Sequence, residues 1–233
     1  MTRHQLKEQD EITTSLQGFT EFLYAHQKEA ISSVVVAAVL VIGYFSWSYY
    51  SSTRNANAQS QLSVVINTYN DTASIKSDKE RYEKTIAAAQ KTHDSYRSLP
   101  VGSIAQYYMA LSQEGLGDTA KAEQSLQDVI QNGDSTSKGV AQFALAAIYR
   151  KHGDTQKAID TYKQLFDGGG YSKAATGYEL ATLYEANHQL DQAKDLYQKI
   201  VSEFPDSPFR QNADDALKRL GVTPAPPATQ KPS

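Results

Sequence analysis

The chain of 233 residues contains no cysteine, which excludes disulfide bonds and thiol chemistry. Its formal net charge is only −3, and the Lys and Arg residues form no cluster, which argues against a nucleic-acid-binding surface. Proline is scarce outside the C-terminal end, since four of the seven lie in residues 223–233, TPAPPATQKPS. We predict that this segment is a disordered tail, because its prolines prevent a helix from continuing.

The sequence also lacks the motifs of common catalytic classes: it has no GxSxG, HExxH, GxxxxGK[ST] or GxGxxG. The glycine cluster at residues 168–170 lacks the Lys and the preceding strand of a phosphate-binding loop, so we predict a connecting loop. His152 and His188 are predicted to be exposed and too far apart to bind one metal ion. We therefore expect no enzymatic activity, no cofactor, no metal and no small-molecule substrate.

One long apolar run stands out in this polar chain, at residues 30–50, AISSVVVAAVLVIGYFSWSYY. As a helix rising 1.5 Å per residue it is long enough to cross a hydrocarbon core of about 30 Å. Trp47, Tyr49 and Tyr50 lie at its end, where aromatic rings favour the headgroup region. A buried core helix and a cleaved signal peptide are the alternatives, but we predict an uncleaved membrane anchor.

The distribution of positive charge predicts the orientation of this anchor. Arg3, Lys7 and Lys28 precede the run, whereas Arg54 is the only Lys or Arg in the twenty residues that follow. The positive-inside rule then places residues 1–29 in the cytoplasm and the remaining chain outside it. In a bacterium this corresponds to a single-pass inner-membrane protein with a periplasmic body.

The body repeats itself with a period of 35–36 residues. The pairs Leu145-Ala146 and Leu180-Ala181 correspond, as do Tyr149 and Tyr184, and Tyr162 and Tyr197. Each copy carries two alanines 12 residues apart, namely Ala110 and Ala122, Ala146 and Ala158, and Ala181 and Ala193. This spacing predicts helical hairpins whose two helices approach closely where the small residues meet.

Turn residues support these hairpins in the first two copies. Gly117-Asp118 and Gly153-Asp154 lie between the predicted helices, where Gly would end the first helix and Asp would cap the second. The third copy has His188-Gln189 at this place, so we expect its turn to be made in another way. After the last copy, Ser207-Pro208 is predicted to open a final capping helix that Gly221 ends.

The pattern resembles the tetratricopeptide repeat, carried in the last copy by Leu180, Ala181, Tyr184, Ala193, Tyr197 and Pro205. We therefore predict an all-α fold with a transmembrane helix at residues 30–50 and a tetratricopeptide-type α-solenoid at residues 51–222. Three clear repeats are expected at about 103–138, 139–173 and 174–206, with a capping helix at 207–221. A degenerate N-terminal repeat is expected to combine an outward continuation of the membrane helix, from about Ala56 to Tyr69, with a helix that Ser77 and Glu80 open by a capping box.

The resemblance implies a binding surface on the concave face of the solenoid. Tyr107, Phe143 and Tyr178 occupy one place in three successive copies and form a predicted aromatic column; the neighbouring residues Val140, Arg150, Lys151 and Glu185 would share its surface. Aromatic rings with nearby charges suit a bound peptide or protein segment. The alternative is that each ring only packs on the adjacent repeat.

The whole layout resembles the YfgM-type ancillary subunits of the SecYEG translocon. Phe19, Phe22 and Lys28 before the run, and Phe45, Trp47 and Tyr50 at its end, carry this resemblance. It implies a protein–protein interaction scaffold that assists protein translocation, with the Sec translocon and periplasmic chaperones as partners. The alternative is a structural or assembly subunit of a bacterial cell-envelope complex that oligomerises through its anchor or its repeats.

Overall fold

The computed structural model describes residues 27–222, and within that range all regular secondary structure is α-helical, as predicted. The helices of that range are α1 (Gln27–Asn70), α2 (Asp78–Tyr96), α3 (Pro100–Gly115), α4 (Thr119–Asn132), α5 (Ser135–Lys151), α6 (Thr155–Gly168), α7 (Lys173–Ala186), α8 (Leu190–Glu203) and α9 (Arg210–Arg219). The predicted cytoplasmic segment lies outside the described residues, except for residues 27–29, which begin α1. The predicted tail at residues 223–233 also lies outside them.

The chain divides into two compact units, Met1–Asn57 and Ala58–Ser233. In the first unit, the described residues belong to α1, and every large apolar side chain of residues 31–50 is exposed. Among the described helices only α1 is long and apolar enough to span a membrane; its most apolar 18-residue window has a mean hydropathy of 2.1, and none of that window is buried. The predicted apolar run is therefore one part of a longer helix.

In the second unit, the last residues of α1 pack into a hydrophobic cluster with α2 and α3. Ala58, Leu62 and Val65 are buried, and their spacing places them on one helix face. They share the cluster with Ala89 and Tyr96 of α2. The expected helix near residues 56–69 is thus a continuation of the apolar helix, as predicted.

The end of α1 is fixed to α2 by Arg81. Its guanidinium donates to the backbone carbonyl of Tyr69 at 2.5 Å and to the carboxylate of Asp78 at 2.6 Å, and it lies 4.6 Å from the centre of the Tyr82 ring. The first of these bonds supplies a donor to a carbonyl of the last turn of α1, which has no partner within its own helix. Ser77 caps α2 as predicted, accepting the backbone N–H of Glu80 at 3.3 Å.

Three helical hairpins follow, formed by α3 and α4, α5 and α6, and α7 and α8. All six alanines of the predicted pairs have no exposed surface, namely Ala110, Ala122, Ala146, Ala158, Ala181 and Ala193. A larger side chain at any of them would push the two helices of its hairpin apart. Where the first hairpin has Gln113 in place of the tyrosine of later copies, its buried side chain accepts a hydrogen bond from Ser125 at 2.9 Å.

All three hairpin turns have the same geometry, so our expectation of a different turn in the third copy is wrong. Gly117 and Gly153 adopt left-handed φ angles of 84° and 81°, and His188 adopts 59°. The backbone N–H groups of His188 and Gln189 bond back into α7 in the way that their counterparts do in the first two turns. Hairpin packing therefore holds a non-glycine residue in a backbone conformation that favours glycine.

The expected capping role of Asp118 and Asp154 is also wrong. Both occupy the N-cap position of their helices, but neither side chain accepts a backbone N–H. Each carboxylate instead pairs with the lysine three residues later, Lys121 at 3.0 Å and Lys157 at 3.1 Å. Their backbone ψ angles of 55° and 58° depart from the extended values usual at an N-cap.

The capping helix begins later than the sequence suggested. α9 starts at Arg210 with Phe209 at its N-cap, instead of at Ser207-Pro208. The Ser207 hydroxyl accepts the Phe209 N–H at 3.2 Å and so closes a separate turn before the helix. Gly221 follows the end of α9 with a φ of 74°, as the prediction required.

A close contact between two glycines sets the spacing of the second and third hairpins. Gly170 lies in the loop between α6 and α7, and a Cβ on Gly139 of α5 would lie 1.8 Å from its carbonyl oxygen. The predicted loop at residues 168–170 is thus largely confirmed, although Gly168 is the last residue of α6. The contact holds this loop against α5, next to the aromatic residues described below.

Candidate binding groove

The first helices of the hairpins, α3, α5 and α7, form one surface of the repeat stack, here called the first-helix face. Between α3 and α5 this face opens into a pocket of about 460 Å³. Its apolar lining comes from Pro100, Ile104, Tyr107, Tyr108 and Val140, and its polar lining from Asp134, Thr136 and Ser137 at the start of α5. Two of the predicted site residues, Tyr107 and Val140, therefore line the same pocket.

The three rings of the aromatic column are half-buried and pack against the hydrophobic core. Phe143 contacts Tyr162 of α6 edge-on, at 5.2 Å between ring centres, and Tyr171 of the following loop at 4.6 Å. Tyr178 contacts Tyr197 at 5.9 Å and Phe209 at 5.4 Å. Phe143 and Tyr178 thus each pack against their own hairpin and against the segment that follows it. All three rings remain partly exposed.

Tyr107 lies at the α3 end of the column, 5.5 Å from Tyr108 between ring centres. Burial, followed by the neighbouring hydroxyls of Tyr108 and Tyr171, raises the pKa of Tyr107 to about 12. A role of the column in binding remains a prediction.

Tyr171 and Phe209 are the members of this surface that the sequence did not reveal. Tyr171 is among the exposed large apolar residues, at 37% of its full exposure. Tyr171 lies 28 residues after Phe143, and Phe209 lies 31 residues after Tyr178, so a search at a fixed period misses their shared role. Their common signal is an aromatic residue just before the helix that follows a hairpin.

The charged residues predicted for this surface pair within the chain. Arg150 forms an ion pair with Glu179 of α7, and Lys151 forms one with Glu114 of α3 at 2.6 Å. Glu185 accepts two hydrogen bonds from Arg219 of α9, at 2.8 and 2.9 Å. Two of these pairs join successive first helices, and the third joins α7 to α9. All three lie away from the pocket, which is near the N-terminal ends of α3 and α5.

Glu114 is the most heavily bonded of these carboxylates, with only 11% of its side chain exposed. It accepts hydrogen bonds from Lys151 at 2.6 Å, from Thr119 at 2.9 Å and lies 2.9 Å from the His152 ring. Burial alone would raise the pKa of Glu114, but the hydrogen bonds from Lys151, His152 and Thr119 outweigh it and hold the pKa below its ordinary value. The carboxylate is therefore ionised and already occupied at neutral pH.

Two equivalent tyrosines beneath this surface differ in one hydrogen bond. The Tyr197 hydroxyl donates to Glu185 at 3.0 Å. The Tyr162 hydroxyl is buried without a partner. The residue that corresponds to Glu185 in its hairpin is Arg150, whose guanidinium pairs with Glu179 instead. Over residues 27–222, the structure contains no cluster of three or more His, Asp or Glu side chains that could hold a metal ion.

Comparison with known proteins gives a family for this architecture. A family model described as a tetratricopeptide repeat-like domain matches residues 21–221. The fold is similar to a crystal structure of nearly identical TPR-like repeats from a Podosopora anserina protein assigned to the kinesin light chains, and to a single-residue variant of it. Both show 18% identity and a TM-score of 0.54, over 71% of this chain and 87% of theirs, so the likeness concerns the fold alone. A search of curated proteins finds no match.

Proposed function

The chain belongs to the tetratricopeptide repeat-like family, whose repeats form scaffolds for protein–protein interaction, and from this we propose that it is a membrane-anchored scaffold. In this proposal the apolar part of α1 spans the inner membrane of a bacterium once. The N-terminus faces the cytoplasm and the repeats face the periplasm. There the repeats bind polypeptides that leave the Sec translocon and assist their transfer to chaperones.

The exposure of the apolar part of α1 is the observation that carries this proposal. Thirteen large apolar side chains of residues 31–50 are each more than half exposed on this one helix. A continuous apolar surface on all sides of a helix is unfavourable in water and favourable in lipid. The family match also begins at residue 21, so the apolar run belongs to the matched region along with the repeats.

Extraction of membranes with alkaline carbonate tests the anchor. We expect the full chain to remain in the membrane pellet. A variant with Val36→Arg and Leu40→Arg should move to the supernatant, because two charges at the centre of the span oppose insertion by about 5–7 kcal/mol in total. Matched substitutions at exposed positions of α4, Gln124→Arg and Gln127→Arg, should leave the protein in the pellet. Release of the unsubstituted chain would refute the anchor.

A reporter fused after Lys218 tests the orientation. A phosphatase that is active only outside the cytoplasm should be active at this position, and a fluorescent protein that folds only in the cytoplasm should stay dark. The opposite result would place the repeats in the cytoplasm and remove periplasmic chaperones from the candidate partners. It would leave the anchor itself in place.

Site-specific crosslinking in living cells tests the partner. A photoreactive amino acid in place of Tyr171, on the first-helix face, should crosslink to translocon subunits or to polypeptides in transit. The same amino acid in place of Lys163, which is exposed on α6, provides the matched control. Equal crosslinking at both positions would argue against a partner on the first-helix face, and a product containing only copies of this chain would favour an assembly subunit.

A further inference from the structure

The pocket between α3 and α5 has one charged lining group among the described residues, and its oxygens are already hydrogen-bonded within the chain. Asp134 is its only charged lining residue among those described, and its carboxylate caps α5. One oxygen accepts the backbone N–H groups of Thr136 and Ser137 at 3.0 and 3.1 Å, and the other accepts the Ser137 hydroxyl at 2.6 Å. A ligand cation would have to compete with these bonds, and a ligand carboxylate would meet a like charge.

On the surrounding first-helix face, the charged side chains predicted to bind a partner are also paired within the chain. The predicted binding cations Arg150 and Lys151 pair with Glu179 and Glu114. Glu185 pairs with Arg219. An acidic ligand would therefore have to break an existing pair between two first helices before it gained one of its own.

The remaining lining is apolar and aromatic. Two tyrosine rings, a proline, an isoleucine and a valine form most of the wall, as described above. A volume of about 460 Å³ lies at the lower end of the range for pockets that enclose small ligands, about 300–1,000 Å³, and is too small for a helix with its side chains. Grooves lined by aromatic rings bind extended, proline-containing segments, whose backbone is already ordered before binding.

From these observations we infer that the pocket binds an uncharged, apolar segment of an extended polypeptide and disfavours acidic segments. This inference rests on the proposed function as a scaffold and names the chemistry of its partner. An apolar segment of an unfolded chain near the membrane fits this description, because such segments are not yet buried in their own fold. Selection by apolar character does not require one sequence, so many different polypeptides would satisfy it.

Fluorescence anisotropy with three labelled peptides tests the inference, using the full chain in lipid nanodiscs. Each peptide has twelve residues with blocked ends: one contains leucine, proline and serine only, and the others carry aspartate or lysine at four of the serine positions. We expect the uncharged peptide to bind at least tenfold more tightly than the aspartate peptide and more tightly than the lysine peptide. Equal or tighter binding of a charged peptide, or binding of none of the three, overturns the inference.

Two variants assign the binding to this pocket. Val140→Glu places a carboxylate in the wall, and Thr136→Trp fills the mouth from an exposed position; each should weaken binding of the uncharged peptide at least tenfold. The control, Val64→Glu, makes a matched change at a side chain that is 55% exposed on α1 and should change binding less than twofold. Circular dichroism checks that the helical content of each variant is retained. If Thr136→Trp, folded and helical, binds as the unsubstituted chain does, the inference is wrong.

The outcomes of this test are distinct from those of the proposed function. If crosslinking at Tyr171 succeeds in cells while the peptides show no preference for the uncharged sequence, the scaffold stands and the inferred partner chemistry falls. If neither the crosslink nor any peptide is observed, both fall together.

Discussion

The two equivalent tyrosines, Tyr162 and Tyr197, allow a test of whether each buried hydroxyl stabilises the fold. Both rings are almost completely buried at the same place in successive hairpins, but only the Tyr197 hydroxyl has a hydrogen-bond partner. Replacing each with phenylalanine removes the same atom from two nearly identical environments. We expect the two substitutions to change the free energy of unfolding in opposite directions.

The magnitudes follow from the partners of each hydroxyl. Tyr197→Phe removes a hydrogen bond to the Glu185 side chain, which also pairs with Arg219, and bonds to charged groups are worth about 1.5–3 kcal/mol. Because Arg219 continues to hold Glu185, we expect the lower end of this range, about 1.5 kcal/mol of destabilisation. Tyr162→Phe removes a buried hydroxyl that no group satisfies, which should stabilise the protein by about 1 kcal/mol.

Urea denaturation of the full chain in non-ionic detergent, followed by circular dichroism at 222 nm, measures both changes. For a domain of this size, with a denaturant slope of about 2 kcal/mol per molar urea, the midpoint should fall by about 0.75 M for Tyr197→Phe and rise by about 0.5 M for Tyr162→Phe. The double substitution should give the sum of the two shifts, since the hydroxyls share no hydrogen-bond partner. A loss of stability in Tyr162→Phe as large as that in Tyr197→Phe would refute the reasoning, because it would show that the Tyr162 hydroxyl has a partner.

Three further changes test other parts of the fold by the same measurement. Gly139→Ala should destabilise the protein by more than about 3 kcal/mol, because the new Cβ would collide with the Gly170 backbone. In the control, Gly117→Ala, the new Cβ meets no neighbour, so only the left-handed backbone should cost free energy, about 1 kcal/mol. Similar losses of stability in the two variants would contradict the close contact between Gly139 and Gly170. His188→Gly should stabilise the third turn by about 0.5–1 kcal/mol, and no gain would show that its φ of 59° carries no strain. Since the folded-state pKa of Glu114 lies below its unfolded value, its contribution is present above the unfolded pKa of about 4.5 and is lost as pH falls through the lower folded pKa. Glu114→Gln should therefore flatten the fall in stability below pH 4.5, and an unchanged acid limb would exclude this role.

The regular part of the fold was predictable because it depends on a few residues with one strong physical requirement each. The paired alanines allow two helices to approach closely, and all six are fully buried. The apolar run and its continuation toward Tyr69 follow from hydrophobic pattern alone, and both lie in the single helix α1. In each case one short-range property of the side chains decided the outcome.

The failures concern places where tertiary packing overrides a local preference. His188 adopts the glycine conformation because the hairpin around it has the same packing as its neighbours, although its side chain disfavours that backbone. Asp118 and Asp154 hold the N-cap position, but their carboxylates pair with lysines instead of accepting backbone N–H groups. Composition and spacing contain no information on these backbone angles.

The surface of the candidate groove was predictable only in part. Repeat alignment assigned Tyr107 and Val140 to one surface, and both line the same pocket, but a binding role for that pocket stays a prediction. The alignment could not show that Arg150 pairs with Glu179 or that Lys151 pairs with Glu114. The partners lie 29 and 37 residues apart, and the repeat pattern does not specify which acidic residue each cation contacts.

This pairing changes what the groove has to offer a partner. Arg150 and Lys151 were predicted to bind a partner, but they form ion pairs that connect one first helix to the next. Removing either charge would therefore affect the contact between repeats as well as any binding. The half-buried rings of the aromatic column pack partly against the core and expose only the rest of their surface to a partner. What remains open to another molecule is an apolar pocket whose one carboxylate is already hydrogen-bonded within the chain. In the proposed membrane-anchored arrangement, even a weak preference for apolar segments acts at a high local concentration of both molecules. A scaffold built in this way would select segments that are uncharged, apolar and not yet buried, and polypeptides expose such segments before they fold.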